Sequence, residues 1–164
     1  MSLTQLHTTL GPIKVELYTT STPKTAENFL ALCASNFYDS SPFHRIIPTF
    51  IVQTGSPSTD PKSKSSPSIF GTPFEDEIRP ALRHNARGVL SMANKGKDTN
   101  GSQFFLTLAP QPTLDGKNTV FGRVIDGWET LEKLEAVEVD SKGRAKGTAP
   151  KIERVEIHAN PLAG

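Results

Sequence analysis

The sequence predicts a mainly β fold, a closed eight-stranded antiparallel barrel capped by two α-helices. Three observations predict it. Short apolar or alternating segments recur along the chain, each bounded by Gly, Pro, Asn or Ser. Only two stretches carry an apolar stripe at helical spacing. The strand segments hold enough Phe, Leu, Ile and Val to fill a barrel interior, and closure removes the edge strands. The 164 residues suit one domain, 1–164, without a fixed-period repeat.

Leu3–Thr9 and Gly11–Leu17 read as a hairpin, with Ile13, Val15 and Leu17 alternating against Lys14 and Glu16 and Gly11-Pro12 supplying the turn. A helix follows. Thr22 is its expected N-cap, Pro23 its first residue, and Ala26, Phe29, Leu30 and Cys33 its buried stripe. Cys33 on that stripe reads as a small core residue. Asn36–Pro42 is a turn. Phe43–Gly55 is apolar and β-branched, and Pro48 splits it into strands Phe43–Ile47 and Phe50–Gln53. Alternation puts Phe43, Arg45 and Ile47 on one face, His44 on the other, and Ile51 with Gln53. A cation between Phe and Ile is either paired structurally or used functionally.

Ser56–Pro73, rich in serine and proline, is a long loop. The acids of Phe74-Glu75-Asp76-Glu77 are candidate partners for Arg45 or a charged strand end. Val89–Asn94 and Gln103–Leu108 are strands, the second apolar on both faces and hence central; Asn100-Gly101 is a turn dipeptide between them. Leu114-Asp115-Gly116-Lys117 turns into strand Thr119–Ile125. Asp126 then caps a short helix, with Glu129 completing a capping box and Trp128, Leu131 and Leu134 as its apolar side. Asp140–Pro150 is a basic loop, and Lys151–His158 a last strand with Val155 and Ile157 inward.

Several functions are excluded or disfavoured. The net charge of +1 implies no nucleic-acid or acidic-membrane role. The single cysteine fits a reducing compartment, cytosol or nucleus. No apolar run approaches a membrane span, no signal peptide is visible, and the final Leu-Ala-Gly is no lipidation signal. His7, His44, His84 and His158 make no zinc spacing with Cys33, so no metal is expected. Gly-rich phosphate loops and nucleophile elbows are absent. Arg45, Gln53, Asn94 and Gln103, with Phe50, Ile51, Phe105 and Leu114, suit a cleft that holds a peptide against a fixed cation. A small-molecule carrier would need a hollow barrel, which the bulky strand residues disfavour.

Phe43-His44-Arg45-Ile46-Ile47-Pro48 with Phe50 and Gln53, Phe74-Glu75-Asp76-Glu77, Leu90-Ser91-Met92-Ala93-Asn94, Thr99 through Phe105, and Leu114-Asp115-Gly116-Lys117 through Gly122 together resemble the cyclophilins. The match runs from about Thr8 to Ile157, and the ending through Asn160-Pro161 is similar to one small single-domain group of that family. The resemblance implies a closed eight-stranded barrel with two helices and cis–trans isomerisation of the bond before proline, without a cofactor. It implies that Arg45 is catalytic, that Phe50, Ile51, Phe105 and Leu114 line a proline pocket, and that Gln53, Ala93, Asn94 and Gln103 hold the peptide backbone. His44 and Thr99 would border the cleft, and Asn118 stands there in place of a frequent histidine. Proline-containing peptides or proteins are the implied partners. Association with splicing complexes makes a proline-binding scaffold in a nuclear complex the alternative it carries. The chain is expected in the nucleus, the cytoplasm or both, and as a monomer, since no long exposed apolar patch is evident.

The sequence departs from the family at several positions. Thr113 stands where cyclosporin-sensitive members carry tryptophan, so weak cyclosporin binding is expected. Ile51 replaces a common methionine, which stiffens that wall. Ser56–Ser68 replaces a glycine-rich loop and is expected to border the cleft.

Overall fold

The computed structural model describes residues 2–60 and 62–159. Pro61 of the long loop, Asn160-Pro161 and the final Leu-Ala-Gly lie outside the described residues. Along the chain the elements are β1 (Ser2–Thr8), β2 (Gly11–Leu17), α1 (Pro23–Ala34), β3 (Ser41–Pro42), β4 (Arg45–Ile47), β5 (Ile51–Thr54), β6 (Val89–Met92), β7 (Phe104–Thr107), a 3-10 turn (Pro112–Leu114), β8 (Val120–Asp126), α2 (Trp128–Glu135) and β9 (Lys151–Ala159).

All nine strands lie in one sheet, in the order β3-β9-β1-β2-β8-β6-β7-β5-β4, and every pairing is antiparallel. This is an open half-barrel of nine strands, which corrects the closed eight-stranded barrel expected from the sequence. The reason lies at the seam. Its end strands, β3 and β4, are consecutive in the chain and very short. Pro42 has no N–H, the Phe43 N–H goes to the Pro150 carbonyl, and the Ile46 N–H goes to the Gly143 carbonyl. Those donors are therefore not offered to a closing ladder. Side chains stitch the gap instead: Ser41 Oγ accepts from the Gly55 N–H at 3.1 Å, and Thr54 Oγ1 donates to the Pro42 carbonyl at 2.9 Å.

Alternation sorts this sheet into two rows. Ile46, Val52, Leu106 and Leu90 are cross-strand neighbours on β4, β5, β7 and β6, and all are fully buried. They face a core in which Phe29 of α1 packs between Tyr38, Phe104 and Phe121 at centroid distances of 5.2–5.4 Å. Arg45, Gln53, Phe105 and Ser91 form the adjacent row and point to the opposite face. Thus the register that buries the core also lines up the row containing Arg45. Both faces of β7 are buried, as expected of a central strand.

Local differences from the sequence reading have physical causes. Phe43 and His44 precede β4, so Phe43 is fully buried and does not share a face with Arg45, which is exposed. Asn100-Gly101 forms no left-handed turn; the positive φ angles there belong to Gly96 and Asp98. Gly101 is required for a close approach, since a Cβ would collide with the Ser66 carbonyl. The hairpin, the α1 stripe and the buried Cys33 are as expected; burial pushes the Cys33 thiol pKa well up. Val155 and Ile157 are half-buried against the core.

The helix caps also differ. Thr22 is the N-cap residue of α1, but its hydroxyl donates back to the Tyr18 carbonyl. Glu77 caps the helix from afar: its carboxylate accepts from the N–H groups of Lys24 and Thr25 and from Thr25 Oγ1, the last two at 2.7 Å. Gly127, at φ 89°, is the N-cap of α2, and the Asp126 carboxylate accepts from the Gly127 N–H. Trp128 is 42% exposed with its indole tip packed on Gly88, while Thr130, Leu131 and Leu134 are the buried residues of α2.

Glu77 is 8% exposed, so Glu77→Ala leaves buried donors unsatisfied at the start of α1. The expected loss is ~2 kcal/mol of unfolding free energy, read from urea titrations. An unchanged midpoint contradicts the cap.

Candidate active site

Arg45 sits on an edge strand and is exposed, which answers the question its sequence position raised. It has no ion pair among the described residues: its only close polar contact is Nη1 to Gln53 Oε1 at 3.5 Å, and its guanidinium lies 6.0 Å from the Phe50 ring centroid. The acids of Phe74–Glu77 are not its partners. Glu75 pairs with Lys24, Asp76 accepts from Asn100 and the Asp98 N–H, and Glu77 caps α1.

The cation looks into a recess of about 200 Å³ lined by Arg45, Phe50, Ile51, Gln53, Ala93, Asn94, Phe105, Leu114 and Asn118. Nine of the sequence-predicted site residues therefore meet in one place. The other three, His44, Thr99 and Gln103, line an adjoining recess of about 460 Å³ that shares Gln53, Ala93 and Asn94 with the first. His44 was expected on the face opposite Arg45. It instead borders the same groove as Arg45, because the strand begins only at Arg45.

Each wall is braced from behind. Thr49, at φ 65°, follows Pro48 in the bend before Phe50. Its N–H donates to Glu135 of α2 at 2.8 Å, and its carbonyl accepts from Gln111 Nε2 at 3.0 Å. Asn94 ties the opposite rim through Nδ2 to the Lys117 carbonyl, and Asn118 through Nδ2 to the Met92 carbonyl. Asn94 leaves its backbone N–H and carbonyl without a partner among the described residues. Thr99 closes the turn beside it, accepting from the Lys95 N–H and donating to the Gly96 carbonyl. Gln103 accepts from Gln53 Nε2 and donates to the Ser63 and Ser65 carbonyls, so the long loop does border the cleft.

Sequence reasoning missed one group. Behind Phe105, and stacked on it at a centroid distance of 6.1 Å, lies the buried imidazole of His84. Its Nδ1 is 2.8 Å from Asp115 Oδ1 and its Nε2 is 2.9 Å from Ser91 Oγ. An ionised carboxylate accepts only, so Nδ1 carries the proton, and the Ser91 hydroxyl lies between Nε2 and the Thr119 carbonyl, 3.2 Å away. The order Asp, His, Ser has the connectivity of a hydrolytic triad, but Ser91 is fully buried and no substrate carbonyl reaches it. The chain holds the Phe105 wall. The spacing Arg83-His84 to Ser91 to Asp115 has no motif character, so only the fold reveals it. Among the described residues no cluster of three metal-ligating side chains exists, and no helix is long and apolar enough to cross a membrane.

Comparison with known proteins places this geometry. A family model for cyclophilin type peptidyl-prolyl cis-trans isomerases matches residues 3–157. A Gibberella zeae protein named peptidyl-prolyl cis-trans isomerase-like 3 is 65% identical, with 100% of each chain covered. A Cryptosporidium parvum cyclophilin type peptidyl-prolyl cis-trans isomerase superposes with a TM-score of 0.92 at 42% identity, covering 98% of this chain and 99% of its own. A second structure of it, determined in the presence of the dipeptide Ala-Pro, gives a TM-score of 0.91 at 41% identity, covering 96% and 99%.

Burial lowers the pKa of both His84 and His44 from their ordinary 6.5. The unfolded chain then binds more protons than the folded one, so stability falls as the pH drops through 6.5 toward the lowered folded values. Calorimetry near pH 6, in buffers of different ionisation enthalpy, is expected to show proton uptake on unfolding, reduced in His84→Gln. Proton release contradicts this.

Proposed function

This chain belongs to the cyclophilin type peptidyl-prolyl cis-trans isomerase family and is an isomerase, and we propose that it turns the bond before proline by means of Arg45. The observation that carries the reading is a guanidinium with no ion pair among the described residues, at a recess walled by Phe50, Ile51, Phe105 and Leu114 whose lining holds no titratable group besides Arg45.

An amide resists rotation because its nitrogen lone pair is delocalised, with a barrier of ~18–20 kcal/mol. At the twisted transition state that lone pair is localised on the prolyl nitrogen. A guanidinium N–H aimed there makes a hydrogen bond that the planar ground state does not offer, so the stabilisation is specific to the transition state. Arginine suits the task because it stays charged and presents a fork of donors. Phe50, Ile51, Phe105 and Leu114 clamp the prolyl ring, while Gln53 and the Asn94 backbone hold the acyl side. Ala93 and Gln103 shape the rim on that side, with His44, Thr99 and Asn118 around it. Uncatalysed exchange takes ~10–100 s. A turnover of order 10³ s⁻¹ then requires about 5–7 kcal/mol of barrier lowering, within reach of a charge-assisted bond in a desolvated recess.

The biological role we assign is folding or remodelling of protein complexes, in a reducing compartment consistent with the single cysteine. The substrate is a proline-containing segment, and the neighbour determined with Ala-Pro supports that class. Thr113 is exposed on the 3-10 turn and offers neither an indole N–H nor its flat surface, so cyclosporin binds weakly.

Exchange NMR on a short Xaa-Pro peptide at catalytic protein concentration tests the reading. Wild type is expected to accelerate exchange, and Arg45→Ala to lose about 10²–10³-fold. Binding of the peptide without acceleration would make the chain a proline-binding module. For cyclosporin, titration is expected to give affinity well short of nanomolar, tightened in Thr113→Trp; nanomolar binding by wild type contradicts the assignment.

A further inference from the structure

Beside Arg45, on the side away from the proline recess, runs an open groove of about 680 Å³ whose charged lining is Arg45, Lys62, Lys64, Lys142 and Arg144. Its two banks come from loops far apart in sequence that have the same construction. One bank reads Asp60-Pro61-Lys62-Ser63-Lys64 and the other Asp140-Ser141-Lys142-Gly143-Arg144. In each, the aspartate carboxylate accepts from the backbone N–H groups two and four residues on: Lys62 and Lys64 at 3.0 and 2.8 Å, Lys142 and Arg144 at 2.8 and 3.0 Å. In each, the aspartate carbonyl accepts from the N–H three residues on. In each, the residue between the two cations has a positive φ, 54° at Ser63 and 78° at Gly143. And in each, that central residue is fastened to the site through its carbonyl, Ser63 to Gln103 Nε2 at 2.9 Å and Gly143 to the Ile46 N–H at 2.7 Å.

The effect is to fix the backbone while the cationic side chains flanking each fastening point project beside the site. Amide hydrogen bonds, that of Ser65 foremost, hold the Asp60 carboxyl at about 2. Bonds from the Arg144 and Lys142 N–H groups likewise lower that of Asp140. Asp140 also pairs with the Arg144 side chain at 3.1 Å. Lys62, Lys64, Lys142 and Arg45 have no ion pair among the described residues, so the groove carries a surplus of positive charge on a chain whose net charge is only +1.

We propose that Lys62, Lys64, Lys142 and Arg144 form a specificity subsite for an anionic side chain, carboxylate or phosphate, carried by the substrate close to its proline. The proposal rests on the isomerase reading of Arg45, because the groove is continuous with it: Arg45 and His44 line this groove, and Lys64 lines both it and the recess next to Gln103. A peptide is favoured over a nucleic acid because the groove offers no exposed aromatic for base stacking; Phe43, its one ring besides His44, is fully buried. The charge surplus exceeds what one carboxylate neutralises, so a phosphorylated serine or threonine is bound more tightly than Asp or Glu.

The test compares Ala-Pro peptides that differ at one flanking position, carrying Gln, Glu or phosphoserine, with position varied on both sides of the proline. Exchange NMR at low salt gives kcat and KM for wild type and for Lys62→Gln/Lys142→Gln, whose loops are held by backbone bonds and stay folded. Two or three exposed ion pairs correspond to about threefold to tenfold in KM. Wild type is expected to favour Glu over Gln by that factor, and phosphoserine further, with kcat unchanged. The double variant, or ~0.5 M salt, is expected to erase the preference while the Gln peptide is turned over as before. Equal KM for all three peptides, or a preference that survives the double substitution, overturns the proposal. If the Gln peptide is not turned over at all, the isomerase reading fails, and the groove is judged by affinity alone: Glu or phosphoserine binding tighter than Gln supports it, and equal affinities overturn it. An oligouridylate that displaces the phosphopeptide and binds more tightly overturns the peptide assignment.

Discussion

A cation without a counter-ion is the constraint around which this site is arranged. A guanidinium near carboxylates ordinarily takes one. Arg45 does not: among the described residues no carboxylate lines either recess with it, and acids of the surrounding loops are committed elsewhere, Glu77 to the start of α1, Asp115 to His84, Glu135 to the Thr49 N–H and Arg87, Asp60 and Asp140 to their own turns. Each carboxylate stabilises a piece of backbone, and together they leave Arg45 with only Gln53 and the face of Phe50. A paired arginine would have to break that pair before donating to a prolyl nitrogen.

The remaining geometry keeps that cation and the apolar wall in register. Ladder pairing sets Arg45 beside Gln53, and Gln53 beside Phe105. Phe105 rests on His84, whose tautomer Asp115 fixes and whose far nitrogen lies 2.9 Å from Ser91 Oγ. The same Asp115 follows Leu114, so one carboxylate holds both the Phe105 wall and the turn that carries Leu114. Packing alone would let an exposed rim of this kind shift; the hydrogen bonds behind it reduce that freedom.

Much of this was legible in the sequence because it depends on local pattern. Alternation gave the first hairpin and the buried β7, helical spacing gave the α1 stripe, and Pro48 marked the bend before Phe50. The full set of candidate site residues comes from the resemblance of the motifs in their order along the chain, and nine of them share one recess. What was not legible depends on partners distant in the chain. Local pattern points to Thr22 as the cap because the true cap, Glu77, lies 52 residues beyond Thr25. Phe43 was put on the face of Arg45 because alternation assumes a strand, and the seam of the half-barrel ends that strand two residues short. The barrel was expected to close because closure removes edges; here loop bonds from Gly143 and Pro150, with the Ser41 and Thr54 hydroxyls, serve the edges instead. The facing turns at Asp60 and Asp140 are alike in sequence, yet only the fold puts them across one groove.

The central claim is that Arg45 acts on the twisted bond and not on the bound ground state. The measurement that tests it most directly is Arg45→Lys, with peptide affinity and the on-enzyme isomerisation rate obtained together from NMR line shapes. Lysine keeps the charge and loses the planar fork. Affinity is expected within about twofold of wild type and the isomerisation rate lower by at least tenfold, the split that follows when an interaction exists only at the transition state. An unchanged rate with weakened binding would contradict it and make Arg45 a residue that merely holds the peptide.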